Sequence, residues 1–385
     1  MDASGAPVFT LSSPGTAAMA LGTAGNTYTV GYSGSYTHLV TNSLAPCGTT
    51  WLSVFAPDGS VLQTTYIPGG EYGGFYNGTI TVGPDSSVYV LNPTDGTMPP
   101  TQIGPFPELP EGGNGTSNAL FRLSPNPNAQ TIPLACVGSA ATMATGPIAP
   151  GELVELLGSG LGPQQGIETG ATPQTPYPTQ AGGVTVTFDG KPAPLLWVQD
   201  GQINTVVPWS VAGPTTEICV TYNTVETNCL SSAVVEAAPG VFTADGTHAA
   251  ALNQDGTVNS AANPAAPGST VTIFATGLGP ISPPQADGAL VEPPLPVDTL
   301  PLELQGTCAS SLGGIPPVCI AYNYYPALSG GPAQGSVAGL SQLVFNASDF
   351  GSQTSSTQPQ LPLVVQETSG AAAISNLFNI YLAGQ

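Results

Sequence analysis

The chain has 385 residues, 41% of them hydrophobic and 6% charged, with 23 Asp and Glu set against two cations, Arg122 and Lys191, for a formal net charge of −21. Phosphate recognition needs clustered Lys and Arg, so this balance excludes a nucleic-acid partner and an anionic membrane surface, and no apolar run is long enough for membrane insertion. The 49 Gly and 41 Pro recur between runs rich in Val, Ile, Thr, Tyr and Phe, the pattern of short strands joined by turns, so the predicted fold class is all-β.

In chain order, the first candidate element is the apolar segment Pro7, Val8, Phe9, Thr10 and Leu11. It reads as an edge strand of its own sheet or, functionally, as an assembly strand donated to a neighbouring subunit in head-to-tail self-association. A weak repeat follows. The turn and strand from Gly22 to Gly31 are echoed from Val82 to Leu91, and Trp51 to Leu62 by Ala119 to Ala129. Residues 1–135 are therefore expected to form a blade-like antiparallel domain of about two repeats. The Pro-rich stretch 97–117 is read as a loop inside it, and the domain boundary falls between Cys136 and Pro150. With Thr65-Tyr66 and Gly69-Gly70 between its strands, this order resembles the SBBP-type β-propeller repeat. Closed propellers use roughly four to eight blades, so the region is expected to be an open sheet or to borrow strands.

The next region is an internal duplication. Pro150-Gly151, an apolar strand, Gly160, Gly162 and Pro163 are matched 117 residues on by Pro267-Gly268, a strand, Gly277, Gly279 and Pro280. A repeat of this length is a whole β-domain, giving sandwiches at 136–240 and 241–385. Strands are predicted at 152–157, 183–188, 195–198, 202–207, 217–222 and 232–237, with Asp189-Gly190 as a hairpin turn. The second copy offers 269–275, 300–305, 318–322, 339–346, 361–367 and 374–382. The motifs Ala135-Cys136, Gly146-Pro147, Gly201-Gln202-Ile203-Asn204, Ala238-Pro239-Gly240-Val241-Phe242 and Asn263-Pro264, in that order, resemble the Solibacter-type C-terminal domain family across roughly 135–385. Each half is also similar to the TIG-type immunoglobulin-like domain. These resemblances imply tandem immunoglobulin-like sandwiches on an exported bacterial protein.

Six cysteines allow 15 pairings. Cys219 and Cys229 flank a candidate hairpin and Cys308 and Cys319 a turn-rich loop, so local pairing leaves Cys47 with Cys136. There is no Cys-x-x-Cys, and His38 and His248 lie far from any cysteine pair, so disulfides rather than a metal are expected, and no cofactor. Disulfides imply an oxidising compartment, extracellular or at the cell surface, and the absence of a signal segment is read as a mature exported form. Asn77, Asn114 and Asn346 stand in Asn-x-Ser/Thr context.

Catalytic constellations are sparse. Only His38 and His248 offer a general base, neither near a nucleophile elbow, and Gly158-Ser159-Gly160 reads as a strand-end corner. Glu152 and Glu155 fall on opposite faces of a strand and make no glycosidase pair. Asn253 to Asn259 has the oxygen-rich look of a calcium loop but lacks a closing Glu, so a hairpin turn is preferred. Lys191, just after a turn, reads as an exposed loop residue rather than an isopeptide partner. Trp51, Trp197, Trp209 and the tyrosines serve sandwich cores or stack on sugars, with Trp209 and Tyr324 the candidate ligand contacts. The sequence thus points to a non-enzymatic exported structural or adhesive protein, a filament or surface-layer subunit. Its alternatives are a carbohydrate-binding accessory module with a glycan partner and a secreted hydrolase. With so few ion pairs, stability is expected to change little from neutral pH to about pH 4 unless carboxylates are buried.

Overall fold

A computed structural model of the protein describes residues 16–22, 24–32, 50–67, 79–83, 87–94, 117–123, 134–158, 160–227, 229–310, 319–350 and 361–383. The fold is all-β; among the described residues the one helical turn is a 3₁₀ segment at Ala347–Phe350. The chain forms two compact units, Met1–Val137 with Leu157–Gly160, and Gly138–Leu156 with Leu161–Gln385. The candidate assembly strand at residues 7–11, and Cys47, His38, Asn77, Asn114 and Ser159, lie outside the described residues.

The first unit contains two antiparallel meanders. One is β1 (Thr16–Leu21), β2 (Thr27–Tyr32), β3 (Thr50–Phe55) and β4 (Val61–Ile67), in that spatial order. The other is β5 (Thr79–Val82), β6 (Val88–Thr94) and β7 (Ser117–Leu123). Alternation does the work here: Tyr28, Val30, Leu52, Val54, Val88 and Val90 face one shared core. The echoed segments correspond to paired strands, since β2 pairs with β3 and β6 with β7. The β3–β4 turn is set by Asp58, whose Oδ1 accepts the Ser60 N–H at 2.9 Å.

The second unit begins at the end of β8 (Leu134–Ser139) and holds two sandwiches. The first has β9 (Leu153–Gly158), β10 (Ile167–Glu168), β11 (Val184–Phe188), β12 (Lys191–Pro192), β13 (Leu195–Val198), β14 (Gln202–Val206), β15 (Thr215–Tyr222), β16 (Val225–Glu226) and β17 (Leu230–Ala233). One sheet runs β10-β13-β14-β9, with Ala140 N beyond β9 donating to the Leu153 carbonyl. The other runs β12-β11-β15-β16, with β17 also on β15. Val154, Leu156, Val186, Phe188, Leu195, Ile203, Ile218 and Val220 are buried between them. Asp189 and Gly190 turn the β11–β12 hairpin with φ of 49° and 74°, the positive pair that such a two-residue turn requires.

The second sandwich has β18 (Gly240–Val241), β19 (Ala251–Asn253), β20 (Thr270–Thr276), β21 (Ile281–Ser282), β22 (Val297–Asp298), β23 (Leu302–Ser310), β24 (Cys319–Pro326), β25 (Ser329–Pro332), β26 (Ser341–Asn346), β27 (Leu361–Gln366) and β28 (Ala372–Phe378). Its sheets run β18-β20-β26-β25, with β19 on β20, and β24-β23-β27-β28. Phe345, Phe350 and Phe378 form an edge-to-face and tilted aromatic cluster in the core, with centroids 6.3 and 6.0 Å apart. The duplication is visible in the backbone: Gly151 and its repeat mate Gly268 have φ of 78° and 77°, and Gly160 and Gly277 have 73° and 72°. These are left-handed values that only glycine adopts cheaply.

Cys219, on β15, is bonded to Cys229 ahead of β17, with Cα atoms 4.4 Å apart. Cys136 is also disulfide-bonded, and no described cysteine is free. Cys308 and Cys319 stand on the paired strands β23 and β24. Replacing both Cys219 and Cys229 with Ser is expected to cost about 2–4 kcal/mol, the usual worth of such a link, read as a lower urea midpoint at unchanged slope. A control in which the oxidised wild type and the double variant unfold together would contradict this.

Candidate functional site

The two sandwiches meet at a joint that absorbs several residues singled out by sequence. Leu153 N donates to Thr276 Oγ1 at 2.8 Å, and Thr276 Oγ1 donates to the Gly339 carbonyl at 2.8 Å. A Cβ at Gly339 would fall 2.2 Å from the Gly151 carbonyl oxygen, and one at Gly277 would fall 2.0 Å from that of Ala238. Only glycine permits either approach. Trp209 is half-buried here, against Ile281, Val291 and Ala338, and its N–H donates to Asp287 Oδ1 at 2.8 Å. Its indole also lies over Gly151. The sequence placed Trp209 at an exposed strand end; the second sandwich covers it.

Three acids are buried with no cation beside them. The Glu152 carboxyl, next to Gly277 in the joint, accepts the Ala149 N–H at 2.9 Å. Burial pushes it up to about 8, against the pull of the Ala149 N–H and the Ser139 hydroxyl. Glu155 is pushed by burial to about 7, and so is Asp298, although Ser341 Oγ donates to Asp298 at 3.2 Å. Glu155 Oε1 and Asp298 Oδ2 have no hydrogen-bond partner among the described residues. These acids are the buried carboxylates for which a flat pH dependence is not expected.

On the first sandwich, the sheet face turned away from the core carries a polar and aromatic row. Glu168 is directly opposite Trp197 across β10 and β13, and Trp197 is directly opposite Asn204 across β13 and β14. Side chains so paired share a face about 5 Å apart. Gln202 follows on the same face, two residues from Asn204 with buried Ile203 between. Its Nε2 donates to Asn204 Oδ1 at 2.8 Å and to Glu155 Oε2 at 3.3 Å. Ala140, Leu153, Glu168, Leu196, Trp197 and Asn204 line a cleft of about 410 Å³ on this face. Sequence reasoning named Trp197 and the Gly201-Gln202-Ile203-Asn204 motif separately. The usable signal was the alternation of Gln202 and Asn204 around Ile203.

The remaining candidates have contacts of their own. Asp255 Oδ1 accepts both the N–H and the hydroxyl of Thr257, so the oxygen-rich loop is a turn closed on itself. Lys191 Nζ donates to the Ser210 carbonyl. Tyr324 is 44% exposed on β24, with its hydroxyl 3.5 Å from Gln305 Nε2. Glu217 stands near Cys219 and Cys229, but the disulfide removes both thiolates as metal ligands. His248 stacks on Tyr381 at 3.8 Å, and Asp245 Oδ2 meets both His248 Nδ1 at 2.8 Å and the Tyr381 hydroxyl at 2.9 Å. With the His248 and Thr247 N–H groups also donating to it, the Asp245 carboxyl is held well below its ordinary value. This cluster ties the 245–248 turn to the C-terminal segment.

Two outcomes are expected. From its ordinary value of 4.5 to about 8, Glu152 holds a proton in the folded chain that the unfolded chain has released. Stability therefore falls as pH rises through that window. Calorimetry should show a higher melting temperature at pH 5 than at pH 8, and Glu152→Gln should flatten the difference; a higher value at pH 8 would contradict the burial argument. Separately, Asp245→Ala should speed amide exchange at residues 247–249 while leaving the cores of both sandwiches protected.

A protein-family scan matches the IPT/TIG domain to residues 139–235. A search of curated proteins gives no match. Among solved structures, the chain is similar to SGBP-B of the Bacteroides ovatus mixed-linkage glucan utilization locus, in complex with a mixed-linkage heptasaccharide. Identity is 12% over 86% of this chain and 61% of that one, with a TM-score of 0.25. It is also similar to domains 4–9 of the surface layer protein SbsC, at 14% identity over 92% of this chain and 47% of that one, with a TM-score of 0.21. The chain thus spans less than two thirds of either structure. Residues 139–235, the greater part of the first sandwich, are an IPT/TIG immunoglobulin-like domain.

Proposed function

We propose that this is an exported, non-enzymatic β-protein that serves as an extracellular structural or adhesive subunit and associates with further copies of itself through its N-terminal strands. The observation that carries the reading is the exposed apolar surface of the outermost strand of the first sheet. β1 ends its sheet without a charged residue, and Met19 and Leu21 on it are 66% and 72% exposed. Natural sheets usually guard such an edge with Lys, Pro or a covering segment. β28, at the edge of the last sheet, also exposes Ile374 and Leu377, and there the Asn376 side chain accepts the Val241 N–H at 2.9 Å and donates to the Val241 carbonyl at 3.0 Å.

Other features support the same reading. The disulfides suit an oxidising, extracellular compartment. Glu152 is sealed from solvent, which leaves it poorly placed for hydrolysis. The resemblances to the Solibacter-type and propeller-repeat families fit an exported bacterial chain whose incomplete sheet is extended by a neighbour.

Negative-stain microscopy and light scattering of the oxidised protein are expected to show regular assemblies whose mass grows with concentration. Met19→Lys with Leu21→Lys should yield a monomer of unchanged melting temperature. Deleting residues 1–13 should have the same effect if that segment is the donated strand. A species of 38.5 kDa at every concentration would overturn self-association.

A further inference from the structure

We infer that the outer face of the first sandwich binds a neutral sugar, with Trp197 as its platform and Asn204 and Glu168 as its hydroxyl partners. The site is distinct from the strand edge, and the inference does not depend on self-association. The cleft of about 410 Å³ is within the roughly 300–1,000 Å³ usual for small-ligand sites. Its chemistry narrows the occupant. An indole offers a flat apolar surface to the C–H face of a pyranose ring, while an amide and a carboxylate at its two sides accept and donate to the ring's hydroxyls. Register places the three as a straight row, Glu168, Trp197, Asn204, across three adjacent strands.

The row is supported from behind. Gln202 Nε2 donates to Asn204 Oδ1, which leaves the Asn204 NH₂ to donate into the cleft it lines. Gln202 is itself tethered to Glu155, a buried carboxyl with one oxygen unpartnered. A chain of part-buried amides that runs from a buried acid to a cleft is costly to keep half-satisfied unless something completes it. Trp197 is fixed too: a Cβ at Gly166 would fall 2.0 Å from the indole Cζ2, so the Gly166 backbone lies against the ring and holds it in place.

Other occupants fit less well. The lining contains no Lys, Arg or His, so a phosphate, sulfate or uronate would meet only like charge. A purely apolar ligand would strand Asn204 and Glu168 without water. A cationic ligand would use Glu168 and the Trp197 face but would leave the Asn204 NH₂ without an acceptor.

The test uses the full oxidised chain and neutral tetrasaccharides of glucose, mannose, galactose or N-acetylglucosamine, titrated to millimolar concentration while following tryptophan fluorescence and the indole N–H resonances. Saturable binding of at least one of them is expected, with the Trp197 resonance shifting and that of Trp209 unmoved. Trp197→Ala and, separately, Glu168→Ala should each weaken it at least about ten-fold. Trp197→Phe should keep most of it, and Tyr324→Ala all of it. Glu168 is exposed on a two-residue strand, so its variant keeps the test meaningful where loss of Trp197 perturbs folding. Absence of binding to all four sugars would overturn the inference. So would binding that survives both alanine variants, or preference for a sulfated tetrasaccharide or for spermidine.

Discussion

A chain with 23 acids and two cations has almost nothing with which to neutralise a carboxylate by pairing, and much of this structure is arranged around that shortage. An acid that enters the interior must either collect N–H donors or keep its proton. Asp58, Asp189, Asp245 and Asp255 stay in exposed turns, where each gathers backbone and hydroxyl donors and is held low. Glu152, Glu155 and Asp298 take the second. Exposed turns and buried strands are thus shifted in opposite directions, and mildly acidic conditions leave the first group ionised and the second protonated.

Cohesion accordingly comes from apolar alternation, backbone hydrogen bonds and covalent links. In the second sandwich Val271, Ile273, Leu343, Phe345, Leu363 and Phe378 all face one core. In the joint, glycine is the enabling residue: without side chains at Gly277 and Gly339, two backbones approach closely enough for Thr276 to bridge Leu153 and Gly339. The interface is held by three kinds of contact at once, the threonine relay, the Trp209 wedge, and the Glu236 carboxylate accepting both the N–H and the hydroxyl of Thr368.

Much of the architecture was legible in the residues because it is local. The Pro-Gly repeat, the Asp189-Gly190 turn, the Cys219–Cys229 link and the strands β11, β13 and β14 each depend on a few neighbouring positions. The two-residue strand β10 was not legible, being set in a Pro- and Gly-rich stretch, nor was the shift of register between Leu195 and Trp197. Trp209 was misjudged because what covers it comes from 78 residues away. The burial of Glu152 likewise depends on Gly277, in the other copy. The Trp197 row shows the same limit: the amides are in one motif, the indole in another strand, and Glu168 in a third, and only pairing aligns them.

The joint also gives the duplication a direction. In the first copy the amide at Leu153 is taken by Thr276 of the second; at the equivalent place in the second copy the amide of Thr270 is taken by its own Gln254, at 3.1 Å. Gly151 has the neighbouring sandwich against it, while a Cβ at Gly268 would meet nothing within 4 Å. The two copies therefore stand as socket and plug: the second fills the socket of the first, while at its own equivalent place the space over Gly268 is open and Gln254 holds the Thr270 amide. A further unit seated in the same way would first have to displace Gln254 from that amide.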